Sequence, residues 1–331
     1  MKILNTLGLD ISKLMIDVYL FQEKIWGEFK NSETGFRKMM KWIKINSKTN
    51  VENMLFCCEH TGLYSLELSA FMNEKELQFA MISGLEIKLS LGIQRGKSDP
   101  VDAKRISEYA FEKKYKIKLY QLPSKAIITL KSLHNYRKRL VRQRAGYKVT
   151  VKEFKRMNAK FGFAEMIQSQ EKLIKEISKI IDSVEKQINK MILNDDVLSN
   201  QYKLLSSIKG IGKVIARSLI IYTAGFSKFE NWRQFSCFIG AAPFGFQSGT
   251  SIKGKAKTHY FGHKQIKADL TLGAFSAIQN DPEIKAYYHR RISQNKNEMS
   301  TINIVRNKLL ARAFAVIQRN SAFVNVYALT A

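Results

Sequence analysis

A mixed α/β domain followed by a basic, mainly helical region is the fold class that the sequence predicts. Two observations carry the first part. Apolar stretches over residues 3–31 combine continuous and alternating patterns, the signature of strands. Strand and helix patterns then alternate, as in a sheet covered by helices. The third observation is the change at Pro123, after which the pattern is helical and the charge one-sided.

In order, Leu7, Leu9 and Ile11, then Met15, Ile16, Val18 and Leu20, mark two strands, and residues 24–29 a third. Asn31-Ser-Glu-Thr-Gly opens a helix carrying Phe36, Met39, Met40, Trp42 and Ile43 at helical spacing. A strand at 53–58, a helix at 64–73 and a strand at 77–82 follow. Beyond Pro123 come Arg137, Lys138, Arg139, Arg142 and Arg144, with Glu153 almost the only acid before residue 160. Such a run is commonly a solvated helix face, but this imbalance favours phosphate contact. Ile167, Ile174, Ile181 and Ile188 then repeat every seventh residue, as do Gln170, Ile177, Val184 and Met191. That is the spacing of a coiled-coil seam, and equally of an amphipathic helix packed on its own domain. Asn194-Asp-Asp ends the pattern.

The chain has 331 residues, is 45% hydrophobic and carries a formal net charge of +27. That excess points to a polyanionic partner. No continuous apolar span of membrane length is present, which argues against a membrane protein. Met1 to Lys13 reads as a strand rather than a signal peptide. Cys57, Cys58 and Cys237 lack metal-like spacing and fit buried thiols of a cytoplasmic, nucleoid-associated protein.

Four acids stand out in this basic chain: Asp10 and Glu59 at the ends of apolar runs, and Asp99 and Asp102 at a helix start. Asp99 before Pro100 also suits an N-cap, and Asp102 a capping acid. Together the four are candidate ligands for a divalent cation, since Mg²⁺ prefers oxygen donors and keeps several waters. Phosphodiester chemistry needs charge neutralisation and an activated nucleophile, which such ions supply.

Residues 200–331 carry nineteen Lys and Arg against five acids. Lys209-Gly210-Ile211-Gly212-Lys213 between two helical stretches has the pattern of a helix–hairpin–helix, whose glycines let backbone approach phosphate. Residues 240–257 read as an ordered basic loop, with Lys253, Lys255 and Lys257 and with Ser248 made accessible by Gly249. No local His–Asp arrangement accompanies Ser248, which argues against a triad hydrolase.

Gly8-Leu-Asp-Ile-Ser-Lys, Cys58-Glu-His-Thr-Gly-Leu-Tyr, the segment from Arg95 through Asp99 and Asp102, and later Lys209-Gly-Ile-Gly-Lys, Phe238-Ile-Gly-Ala-Ala-Pro and Gln247-Ser-Gly occur in a fixed order. In that order they resemble the DEDD transposases of bacterial insertion sequences, relatives of the Piv-type DNA invertases. The resemblance implies an RNase H-like (RuvC-like) domain over 1–157, a coiled coil over 158–196 and a C-terminal transposase domain over 197–331. It implies Mg²⁺, or Mn²⁺ in its place, on Asp10, Glu59, Asp99 and Asp102, and Ser248 as a nucleophile forming a covalent phosphoserine link to DNA. It further implies a homo-oligomer (dimer or tetramer), target and donor double-stranded DNA, and a structured noncoding guide RNA, the bridge RNA. Ser251 is an alternative nucleophile. Two segments depart from the family pattern: His259-Tyr260-Phe261-Gly262 replaces a Ser-Lys step, and Ile266-Lys267 a Leu-Arg. A metal-dependent junction nuclease, an invertase and a non-enzymatic nucleic-acid binder are the competing readings.

Overall fold

A computed structural model describes residues 2–90, 98–249 and 252–324, with the side chains of Phe246, Ser248, Ile252, Lys253 and Lys255 left aside. The chain divides into two compact units, Met1–Leu122 and Pro123–Ala331.

The first unit is an α/β sandwich. Its elements are β1 (Asn5–Ile11), β2 (Met15–Leu20), β3 (Ile25–Lys30), α1 (Glu33–Asn46), β4 (Met54–Glu59), α2 (Leu66–Glu74), β5 (Phe79–Ile82), α3 (Gly84–Ser90) and α4 (Asp99–Lys113). Among the described residues these strands form a five-stranded sheet in the order β3-β2-β1-β4-β5. β1, β2 and β3 pair antiparallel, whereas β4 and β5 run parallel to β1. Side chains alternate between the faces of a strand. Leu7, Leu9, Ile16, Val18, Met54, Phe56 and Cys58 therefore meet Phe36, Met39 and Ile43 of α1 and Leu68 and Met72 of α2 in one core. Leu55, Cys57, Ala80 and Ile82 pack the other face with Ile87 of α3 and Ile106, Tyr109 and Ala110 of α4. Cys57 and Cys58 are buried on opposite faces, but Cys237 is exposed, contrary to the sequence expectation for all three.

The second unit begins with α5 (Lys125–Phe161) and α6 (Ala164–Leu193), followed by α7 (Asp196–Ser206), α8 (Lys213–Tyr222), α9 (Trp232–Phe238), β6 (Pro243–Ser248), β7 (Ile252–Thr258), α10 (Lys264–Asn280), α11 (Pro282–Ser293) and α12 (Glu298–Gln318). Ser124 caps α5 by accepting from the Ile127 amide, and Gly162, at φ +70, ends it. The chain then turns back, so Arg137 meets Glu185, Arg144 meets Ser178 and Lys155 meets Glu171 along an antiparallel pair. The heptad positions Ile181, Val184 and Ile188 are buried in a core shared with Leu130 and Leu140 of α5 in the same chain. Asp195, in the Asn194-Asp-Asp break, caps α7. No helix among the described residues is long and apolar enough to cross a membrane.

Buried charge ties this unit together. Arg217 of α8 is fully buried, and Glu185 of α6 lies 3.6 Å from its Nη2 while accepting from Arg137 Nε at 2.5 Å. The two guanidinium groups hold the Glu185 carboxyl below its usual range against the opposing effect of burial. Ser218 donates to Asp269 at 3.2 Å and meets His134 at 3.2 Å, and Lys138 donates to Asp269 at 2.7 Å. Burial, and then Lys138, push His134 down to about 4, so it is neutral at physiological pH.

Removing one partner of a buried pair leaves the other charge stranded, so Glu185→Gln should cost about 2–3 kcal/mol in urea unfolding. Arg217→Met, which removes the buried charge itself, should cost less. A larger loss for Arg217→Met than for Glu185→Gln would contradict this account.

Candidate active site

The acidic face of the first unit is built by pleat, register and one glycine. β1 and β4 run in register with Leu9 beside Cys58, so Asp10 and Glu59, the next residues, sit together at the strand ends. Both fall on the face covered by α4, because Leu9 and Cys58 point to the other core. α4 crosses β1 closely: Thr6 Oγ1 donates to the Ser107 carbonyl at 3.0 Å, and a Cβ on Gly8 would overlap the Ala103 carbonyl oxygen. Gly8 is therefore the position where only a bare backbone fits. Thr6 meets Ser107 and Gly8 meets Ala103, so α4 runs antiparallel to β1 and its first turn lies toward Asp10. That turn carries Asp99 and Asp102.

Asp99 is not the N-cap that the Asp-Pro step suggests. Ser98 occupies that position with extended backbone (φ −156, ψ 153), its side chain makes no capping bond, and Asp99 is already helical. The Asp99 carboxylate is thus not committed to the cap.

One acid of this face escaped the sequence reading. Asp17 of β2 pairs directly with Asp10 in the antiparallel register and with Glu28 on its other side. It is 4% exposed and accepts from the Trp26 indole at 2.7 Å. Its signal in the sequence was an acid at an alternating position of an apolar strand. The consequence appears at Asp10, which burial and then the charges of Asp102, Asp99, Asp17 and Glu59 raise from 3.8 to about 6.

These oxygen donors have the chemistry of a Mg²⁺ site. Their placement is only partly that of one: among the described residues, no group of three or more His, Cys, Asp or Glu side chains is arranged to hold a metal ion. Asp102 is engaged at 2.9 Å by Arg105, and the Glu59 carboxylate lies against Gly84, where a Cβ would overlap it.

The raised Asp10 value has a pH consequence. Between about pH 4 and 6 the folded protein holds this proton more tightly than the unfolded chain, so stability falls as pH rises through that window. With divalent ions chelated, Asp10→Asn should stabilise the protein above pH 6 by about 1–2 kcal/mol, discounted for partial exposure, and give no gain near pH 4. Urea unfolding at the two pH values checks this.

In the second unit, the segment read as a loop is an antiparallel hairpin, β6–β7, with an irregularity between Phe244 and Phe246. Ser248 ends β6, paired with Ile252, and Gly249 follows at φ +59, a conformation that glycine adopts without strain. Lys257 is exposed opposite Phe244. The side chains of Ser248, Lys253 and Lys255, and the alternative nucleophile Ser251 altogether, lie outside the described residues, as does the stretch 91–97 ahead of Asp99.

The basic residues fall into two groups. Arg139 and Arg142 are exposed on α5. Arg137, Lys138 and Arg144 are half-buried and bonded to Glu185, Asp269 and Ser178, so they hold helices together. Lys209 and Lys213 are exposed at the α7–α8 turn. Gly210, at φ +93, is needed for packing, since a Cβ would come within 2.6 Å of the Gly273 carbonyl on α10. Gly212 is the cap residue of α8, and a Cβ there would meet no described atom within 4 Å.

Two family models match the chain. The DEDD model, described as a transposase, covers residues 7–154, and the model described as the transposase IS116/IS110/IS902 family covers 202–289. A relative from Streptomyces coelicolor, the uncharacterized 43.6 kDa protein of insertion element IS110, is 27% identical over 115 residues. That alignment takes in 35% of this chain and 28% of the relative, so the chain spans well under two thirds of that protein's length. The first match contains all four acids on the α4-covered face, and the second contains the α7–α8 turn and the hairpin with Ser248. The mixed sheet followed by helices fits an RNase H-like DEDD transposase, and the chain belongs to the IS110 family of DEDD transposases.

Proposed function

We propose that this protein is the transposase of an insertion sequence, a site-specific DNA recombinase that cuts and rejoins target and donor DNA through a serine–phosphate intermediate. The observation that carries the reading is the acidic face around Asp10, on the strand ends of β1 and β4 beneath the first turn of α4. A half-buried acid with acids for neighbours is a poor arrangement for a surface and a useful one for a divalent cation.

Asp10, Glu59, Asp99 and Asp102 are the residues that would hold Mg²⁺ or Mn²⁺. The metal would supply charge neutralisation on the phosphate and a lowered barrier to deprotonating the nucleophile. The chain's own part is as follows. The Ser248 Oγ attacks a phosphodiester, loses its proton, and forms an O–P bond as the bond to one deoxyribose oxygen breaks. That oxygen leaves with the strand end and takes up a proton. A strand end from the other DNA reverses the step, so the bond energy is kept and no nucleotide cofactor is needed. The acids and Ser248 belong to different compact units, and the proposed active species is a homo-oligomer whose active sites draw on more than one subunit.

The proposed division of labour is a metal-binding segment at 1–157, a coiled coil at 158–196 and a serine-bearing transposase segment at 197–331. The net charge of +27 suits two nucleic-acid partners, DNA and a structured guide RNA. Arg139, Arg142, Lys209 and Lys213 are among the described exposed cations of α5 and the α7–α8 turn that we assign to phosphate contact.

The test uses the full chain with Mg²⁺, plasmids bearing the element ends and target, and the RNA that copurifies. Ser248→Ala should abolish the covalent protein–DNA adduct on a denaturing gel and lower recombination by about 10³-fold or more. Asp10→Asn should lower both similarly while DNA binding persists. Cutting and rejoining by Ser248→Ala at the wild-type rate would sink the serine mechanism and favour a junction nuclease. Recombination that inverts a flanked segment instead of inserting the element would mark an invertase.

A further inference from the structure

The hairpin that bears Ser248 ends in a cluster of three exposed rings that the strand-transfer reading does not use. His259, Tyr260 and Phe261 follow β7 directly. Their ring centroids lie 4.7 Å apart for His259–Tyr260, 4.5 Å for His259–Phe261 and 4.0 Å for Tyr260–Phe261. Tyr260 is nevertheless 75% exposed and Phe261 37%. Aromatic rings that cover only one another normally turn inward, because each offers a large apolar area. Here the backbone of the segment is tightly placed. A Cβ on Gly240 would fall 2.7 Å from the Phe261 carbonyl oxygen, and one on Gly262 would fall 2.5 Å from the Gly240 amide. The two glycines thus press the 259–262 segment against the end of α9. The His263 amide donates to the Phe238 carbonyl at 3.1 Å, and the His263 ring packs on Tyr222 at 4.3 Å. The His259 ring accepts from the Phe261 amide at 3.2 Å. The platform is held from beneath, and its rings face outward.

Its surroundings are basic. Lys257 and Lys264 are exposed on either side of the trio in sequence, and Phe244, 54% exposed, pairs across the hairpin from Lys257. Flat rings beside cations are the elements that hold single-stranded nucleic acid, in which unpaired bases stack on rings while phosphates meet lysines. Ser248 lies at the far end of β6 from Pro243, the partner of Thr258, roughly 17 Å along the strand.

We propose that His259, Tyr260 and Phe261 form a stacking platform for an unpaired nucleobase of a single strand running alongside the Ser248 hairpin. This rests on the reading of the protein as a DNA-strand-transferring enzyme and adds to it a site for the unpaired strand. The chemistry, base stacking flanked by lysine, is shared by DNA and RNA strands.

The test is a fluorescence-anisotropy titration of the full-length protein, Ser248 intact, with labelled single-stranded DNA, single-stranded RNA and duplex DNA of one sequence. Tyr260→Ala should weaken single-strand binding by about tenfold while duplex affinity holds. The slope of log Kd against log salt should not change, since no phosphate contact is removed. Tyr260→Trp should bind single strands at least as tightly as the wild type, with its added indole fluorescence quenched on binding. A larger loss on one strand type identifies that strand as the occupant, and an equal loss on both assigns the platform to bases irrespective of sugar. Wild-type affinity in Tyr260→Ala, an equal loss on duplex and single strands, or a shallower salt slope would overturn the platform. Those results leave the strand-transfer reading standing, because the Ser248→Ala adduct assay tests it separately.

Discussion

The contact between Gly8 of β1 and the Ala103 carbonyl of α4 is the constraint on which the first unit's chemistry depends. A helix axis normally rides well above a sheet because side chains separate them. Removing the side chain at one crossing point lets α4 settle onto β1 and fixes its height and direction. Asp10 lies two residues along the strand from that point, and Asp99 and Asp102 lie within about one turn of it on the helix. Neither element alone would bring the acids together. The close crossing does, and burial followed by the neighbouring acids pushes the Asp10 carboxyl up to about 6.

The second unit meets a different difficulty. Its elongated helix pair carries far more positive charge than its acids neutralise, and part of that charge points inward. Arg217 is buried with Glu185, Lys138 reaches Asp269, and Arg312 is clamped by Asp281 at 2.6 Å and by Glu283 at 2.5 Å. Four acids of this unit, Glu185, Asp269, Asp281 and Glu283, are committed to these inward pairs, while others such as Glu153, Glu171 and Glu176 stay exposed. The surface keeps the cations, which is the arrangement a protein of polyanionic partners requires. The same logic explains why a roll of basic residues overstates the contact surface. Arg137, Lys138 and Arg144 read like their neighbours Arg139 and Arg142, yet their partners lie on α6 and α10.

Much of the fold was legible because its signals are local. Alternation in Leu7-Leu9-Ile11 and Ile16-Val18-Leu20 gave the paired strands, and Pro123 marked the division between the two units. The heptad pattern of Ile181, Val184 and Ile188 predicted a buried stripe without saying what would cover it, and α5 of the same chain does. Asp17 was missed because its importance lies in a cross-strand pair with Asp10, not in its own neighbours. Ser98 and Asp99 both suit the cap position by residue type, and only the backbone angles separate them. The Ser248 segment reads as a loop in sequence because its glycines and serines mask the alternation of a short hairpin.

The sequence by itself determined the strand and helix order, the excess of positive charge, and which acids and which serine occur in the motifs of the family. Those depend on residue type and on spacing along the chain. Only the tertiary structure decided that α4 descends onto Gly8, that Asp17 joins the acidic face, which arginines are buried in ion pairs, and that three rings stand exposed beyond the Ser248 hairpin. Each of these depends on pairing between residues distant in sequence. The free energy of such a pairing comes from register, packing and burial, and no short window of the chain contains them.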